Sequence, residues 1–160
     1  MDKNSIHEPL PFISTVKHEV DLLAPDPRTL DTREMLTSLS RKGRYTDLSL
    51  DPWSVLQHSL LCAALVCDDV GDGEPNFITL ALLHDAHEAW MGDIARPLKK
   101  HLDKEGAITA LEAGFDLALF AKFGIPMEWA NHDHPIRATL KYYDNMALSI
   151  EVRNIFPSVV

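Results

Sequence analysis

Residues 75–93 read PNFITLALLHDAHEAWMGD, an apolar run interrupted by charged and imidazole side chains. Pro75 suits the first turn of a helix, where its missing N–H donor is not needed. Phe77, Ile78, Leu80, Ala81, Leu82 and Leu83 then form an apolar face so broad that the helix must be largely buried. Its spacing predicts a helix that runs through His84 and Asp85 and stops near Gly92. Upstream, Pro52 is expected in the first turn of another central helix carrying Val55, Leu56, Leu60, Leu61 and Leu65, broken by Gly71-Asp72-Gly73. Before that, Asp31 is expected to cap a helix with Glu34 three positions on and Met35, Leu36 and Leu39 on its inner face, ending by Gly43. Downstream, a helix is expected over Asp103 to Phe123, closed by Gly124 and Pro126, and a last one opens at Pro135 and carries Leu140, Tyr143, Ala147 and Ile150. Nothing alternates with period two for long enough to make a sheet, so the expected fold is an all-α bundle of five or six helices. Residues 1–30, with Pro9, Pro11, Pro25 and Pro27, read as an N-terminal arm, and residues 31–160 as the domain.

Composition agrees with one ordinary globular domain: 160 residues, 46% hydrophobic and 24% charged. Fifteen Lys and Arg against 24 Asp and Glu leave a net charge of −9, which argues against a broad surface for duplex nucleic acid. An anionic ligand must therefore meet a local cationic patch. Cys62 and Cys67 lie in an apolar stretch at a spacing that suits neither a disulfide framework nor a metal site, so they are expected as core thiols in a reducing compartment. The first ten residues carry Asp2, His7 and Glu8 in place of an apolar leader core, and no run reaches the roughly 18 apolar residues of a membrane helix. A cytoplasmic protein without a membrane partner is expected.

Burying an unpartnered imidazole or carboxylate costs several kcal/mol, yet the central helices carry both. His58 lies between Leu56 and Leu60, His84 and Asp85 close the apolar run, and Asp144 sits between Tyr143 and Ala147. Two imidazoles and two carboxylates suit one divalent cation, with nitrogen and oxygen donors together fitting Zn²⁺, Mn²⁺, Co²⁺ or Fe²⁺. Glu88 follows Asp85 by one turn on the same face. A second His-Asp pair, His132-Asp133, follows a polar stretch and is read as a decoy in which Asp133 caps the helix opened by Pro135. Arg41, Lys42 and Arg44 precede the His58 helix, and Arg96 and Lys99 follow Asp93, which suggests phosphate held over the cation. Tyr45 is a candidate to stack on a base.

Leu39-Ser40-Arg41 with Arg44-Tyr45, Trp53 to Ser59, the HDAHEAWMGD string from His84 to Asp93 with Pro97 to Lys99, and Tyr143 to Leu148 resemble the HD-domain phosphohydrolases. The resemblance is nearest to their small phage and bacterial nucleotidase branch, which includes 5′-deoxynucleotidases and phage deoxyadenosine triphosphate triphosphohydrolases. It implies that His58, His84, Asp85 and Asp144 hold one divalent transition metal, Zn, Co, Mn or Fe, and it admits further Mg, Mn or Co ions bridging the phosphates. It implies catalytic roles for Glu88, on the attacking water, and Asp93, near the sugar or leaving oxygen, with Arg44 and Lys99 on phosphate and Tyr45 against the base. His87 stands where relatives carry a small residue.

The expected activity is thus metal-dependent hydrolysis of a small-molecule deoxynucleotide, with dATP giving deoxyadenosine and tripolyphosphate as the favoured case. A 5′-deoxynucleotidase, a non-catalytic metal and nucleotide sensor, and a structural helical module are the alternatives. Relatives form dimers or larger rings, so a homo-oligomer is expected, located in the host cytoplasm if the chain is phage-encoded.

Overall fold

Burial of the apolar faces just described requires helices that cross one another, and the computed structural model shows how they do so over residues 12–49, 51–131 and 133–156. Helices α1 (Thr32–Arg41), α2 (Val55–Val70), α3 (Pro75–Leu83), α4 (Glu88–Met91), α5 (Arg96–Leu102), α6 (Ala107–Phe123) and α7 (Pro135–Ile155) make up the expected all-α bundle, α4 being a single turn. Helix α2 is central and packs on α3 and α7, while α1 lies against α2 and α4. Leu39, Val55, Cys62, Leu80, Phe115 and Leu119 are fully or almost fully buried where these elements meet. Trp90 of α4 stacks on Phe115 of α6 with centroids 5.2 Å apart. Cys62 is a buried free thiol and Cys67 a half-buried one. No helix among the described residues is long and apolar enough to cross a membrane.

Several boundaries differ from the sequence expectation, each for a local reason. Helix α2 starts at Val55, not at Pro52, because Ser54 and Gln57 form a reciprocal capping box. Helix α3 stops at Leu83 instead of continuing to Gly92. The His84 imidazole Nδ1 donates to the Ala81 carbonyl at 2.7 Å, taking the acceptor that the next helical N–H would use. The chain then tightens to i→i+3 bonds, Ala86 to Leu83 and Glu88 to Asp85, before α4 resumes the helix. Helix α5, which holds Lys99, is too short for its period to be visible in the sequence. Helix α6 starts at Ala107, and the Asp103 carboxylate accepts from the Ile108 and Thr109 N–H groups from outside it. Helix α7 is capped by His134, whose Nδ1 accepts from Ile136 N–H, not by Asp133. His132 of the decoy pair lies outside the described residues.

A two-stranded antiparallel hairpin, β1 (Phe12–Ser14) with β2 (Glu19–Asp21), corrects the expectation of no sheet. Its strands of three residues are too short for alternation to register. Val20 of β2 and Leu30 are buried in the same core as the helices, and a side chain on Gly114 of α6 would meet Pro25, its Cβ lying 3.6 Å from the ring. Pro9, Pro11, Asp2, His7 and Glu8 lie outside the described residues.

The capping box sets the phase of α2 and hence the direction of His58. Ser54→Ala is expected to destabilise the fold by about 1 kcal/mol and to lower the melting temperature by roughly 2–4 °C, measured by thermal denaturation followed by circular dichroism.

Candidate metal centre and pocket

The cluster is assembled from α2, the tight turn after α3, and α7. His58 emerges one turn into α2 and is fully buried. Its Nδ1 lies 2.6 Å from Glu151 Oε1, while the His84 ring is held through Nδ1 by Ala81. Both rings therefore turn Nε2 toward the same point. His58 Nε2 is 3.1 Å from Asp144 Oδ1 and 3.7 Å from Asp85 Oδ2. His84 Nε2 is 3.3 Å from Asp85 Oδ2 and 4.0 Å from Asp144 Oδ1. Among the described residues neither Nε2 has a hydrogen-bond partner, although both are buried. Donor atoms of His58, His84 and Asp144 all lie within 4.8 Å of one another and could hold a metal ion. Two desolvated nitrogens without partners, facing carboxylate oxygens, fit a cation as the missing partner.

The electrostatics agree with this geometry. Burial pushes the His58 imidazole down, but the Asp144 and Glu151 carboxylates outweigh it and raise its pKa to about 9. Burial likewise works against ionisation of Asp85 and Asp144. The His84 imidazole beside Asp85, and the His58 and Lys141 groups beside Asp144, nevertheless hold both carboxyls well below the usual range. Glu88 behaves in the opposite way: burial, then the Asp85 and Asp93 charges, raise it to about 9. Its Oε2 is buried without a partner. Asp93 is also raised, by burial first.

Above the cluster opens a cavity of about 500 Å³ that Arg44, Tyr45, Glu88, Asp93 and Lys99 all line. The structure thus brings every sequence-derived site residue to one place, but Arg44, Tyr45 and Lys99, like His58, carry partners that the sequence did not reveal. Arg44 lies 3.5 Å from Asp85 Oδ2 and 3.3 Å from Glu151 Oε2. Tyr45 donates its hydroxyl to Glu151 Oε2 at 2.6 Å and sets its ring edge-to-face with Phe156. Tyr45 and Thr46 both hold left-handed backbone, φ 59° and 54°, which non-glycine residues rarely adopt. Lys99 is ion-paired with Glu112 of α6.

His87 does not join the cluster. Its Nε2 is 3.5 Å from Glu112 Oε1 and its Nδ1 is 3.8 Å from Asp116 Oδ1. Arg137 of α7 binds Asp116 from the other side at 3.0 Å. After the opposing effect of burial, those two carboxylates raise His87 to about 10. Asp144 in turn receives Lys141 and, at 3.4 Å, Arg96 on Oδ2. Sequence reasoning missed Glu151, Glu112 and Asp116. A signal existed: Glu151 lies two turns beyond Asp144 on one stripe of α7, and Glu112 and Asp116 are one turn apart in an otherwise apolar helix.

Because His58 and His87 are raised above the ordinary histidine value, the native state binds more protons than the unfolded state across the interval up to their native pKa values. Their contribution is complete below about pH 6.5 and is lost as pH rises through about 9 and about 10. Glu88, raised to about 9, adds loss of the same sign from the ordinary carboxylate range upward. In the presence of a chelator, urea denaturation at pH 6.5 and pH 9.5 is expected to show lower stability at the higher pH, and equal or greater stability there contradicts the assignment.

No family model matches the chain. It is 32% identical over 123 residues to the uncharacterized protein YfdR of Escherichia coli, a match covering 76% of this chain and 59% of that relative. The chain therefore spans less than two thirds of YfdR. It is also 30% identical over 139 residues to the uncharacterized protein RCAP_rcc00048 of Rhodobacter capsulatus, covering 85% of this chain and 68% of the relative. On that identity and coverage, the chain belongs to the same family as the Rhodobacter capsulatus protein.

Proposed function

We propose that the chain is an HD-type, divalent-metal-dependent phosphohydrolase of deoxynucleotides, with dATP as the favoured substrate and deoxyadenosine and tripolyphosphate as products. The observation that carries this reading is the convergence of two buried, unpartnered imidazole nitrogens and two carboxylates beneath a cavity lined by cationic side chains. His58, His84, Asp85 and Asp144 are the ligands in this reading, with Zn, Mn, Co or Fe as the ion. A bound divalent cation supplies Lewis-acid polarisation of a phosphoryl oxygen and an acidified attacking water.

The chain's own groups do the rest. Arg44 and Lys99 face the cavity and neutralise charge on non-bridging phosphoryl oxygens. Tyr45 forms the wall that meets the nucleoside. Glu88 has no partner on Oε2 and a carboxyl raised to about 9, so it exchanges a proton near neutral and mildly alkaline pH, as a general acid or base requires. Asp93, which lines the same cavity and is raised above its ordinary value mainly by burial, takes the role at the leaving oxygen in this reading. The close spacing of the donor atoms supports one cation at the floor and leaves the cavity for the phosphates.

Purified protein supplemented in turn with Zn²⁺, Mn²⁺ and Co²⁺ is expected to release tripolyphosphate from dATP, with products identified by ion chromatography. Turnover confined to dAMP converts the reading to a 5′-deoxynucleotidase, and metal uptake without turnover of any nucleotide overturns hydrolysis altogether. Glu88→Gln is expected to lower kcat by roughly 10²–10⁴-fold while leaving metal content unchanged. His84→Ala and Asp85→Ala are expected to abolish turnover and to remove the rise in melting temperature on adding metal, because a ligand stabilises only the state that binds it.

A further inference from the structure

Glu151 is the most deeply buried carboxylate of the site: its side chain is 0% exposed, far from the solvent that a carboxylate normally needs. Such a group persists only if both oxygens are satisfied, and here they are, by different parts of the molecule. Oε1 faces His58 Nδ1 at 2.6 Å. Oε2 accepts the Tyr45 hydroxyl at 2.6 Å and lies 3.3 Å from Arg44 Nε. A carboxylate that accepts from Nδ1 fixes the proton on that nitrogen and turns Nε2 toward Asp144, His84 and Asp85, where a cation would take the place of the Nε2 proton. Nothing else touches His58 Nδ1 among the described hydrogen bonds, so the ring's tautomer and orientation depend on this one residue. The other oxygen holds the hydroxyl of Tyr45, a residue in left-handed backbone.

We propose that Glu151 is a positioning residue that holds His58 as a metal ligand through Nε2 and, by the same carboxylate, anchors the Arg44–Tyr45 wall of the cavity. The ion site and the nucleotide wall then share one support, so displacement of one is felt at the other. This rests on the metal-binding part of the function proposed above and not on the identity of any nucleotide.

The test is titration of the full chain with Co²⁺, followed by visible absorption, for the wild type and for Glu151→Gln. Glutamine keeps the shape but presents an amide N–H₂ to one side, where Tyr45 and Arg44 or His58 already donate. The variant's dissociation constant for Co²⁺ is expected to rise by roughly 10–100-fold, with an altered absorption band. A folded variant with unchanged affinity and spectrum overturns the proposal.

If Glu151→Gln does not fold, the wild type decides. With ¹⁵N-labelled histidine and added Zn²⁺, the His58 resonances are expected to show a protonated Nδ1 and metal at Nε2, and metal at Nδ1 overturns the proposal. Neither measurement uses a nucleotide, so a chain that binds cobalt without hydrolysing anything fails the hydrolase reading while leaving this one standing. A wild type that takes up no cobalt sinks both.

Discussion

The pairing of His58 with Glu151 is the constraint on which the site depends. Two ionisable groups sit in the centre of an apolar bundle, each fully or almost fully buried, and their contact at 2.6 Å is what makes that tolerable. Once Nδ1 is committed to Glu151, Nε2 must point the other way, toward the turn after α3 and the middle of α7. The capping box at Ser54 sets the rotation of α2, the side-chain bond from His84 to Ala81 ends α3, and α7 brings Asp144 and Glu151 to the two sides of one imidazole. The arrangement is over-determined from three directions, which is how a constellation of like charges is kept together in a small protein.

The break at His84 shows how local chemistry overrides pattern. From Phe77 onward the apolar spacing continues smoothly into Ala86 and Ala89, and a helix through all of it is the natural reading. The imidazole's capture of a backbone carbonyl is invisible to periodicity, because it depends on a side-chain rotamer. The consequence is geometric: i→i+3 bonding rotates successive residues by about 120° instead of 100°, so Asp85 reaches back toward both imidazoles while Glu88 falls at the start of α4, on the cavity wall.

The sequence was most informative where composition and environment conflict. His58, His84, Asp85 and Asp144 stood out because each breaks an apolar run, and the structure draws all of them to one point. The all-α class was likewise legible from periodicity. Partners set by long-range packing were not: Lys99 and Glu112 are thirteen positions apart, Tyr45 and Glu151 more than a hundred. Nor does a hairpin of three-residue strands, or a helix as short as α5, carry enough residues to show a period. His87 illustrates the same limit, since an imidazole beside the His84-Asp85 pair is explained only when α6 supplies the carboxylates on either side.

Charge balance in the cavity separates the chain's cations into two kinds. Lys99 and Lys141 each already face an acidic partner, Glu112 and Asp144 respectively. An anionic ligand can therefore recruit them only by sharing or displacing a carboxylate, and partly exposed pairs of this kind are worth about 0–1 kcal/mol each, so the exchange is cheap. Arg44 differs: its side chain is 12% exposed and is held between Asp85 and Glu151, so it is fixed in place before any ligand arrives. Positive charge that is rigid near the floor and exchangeable near the rim suits a ligand whose charge is spread along its length.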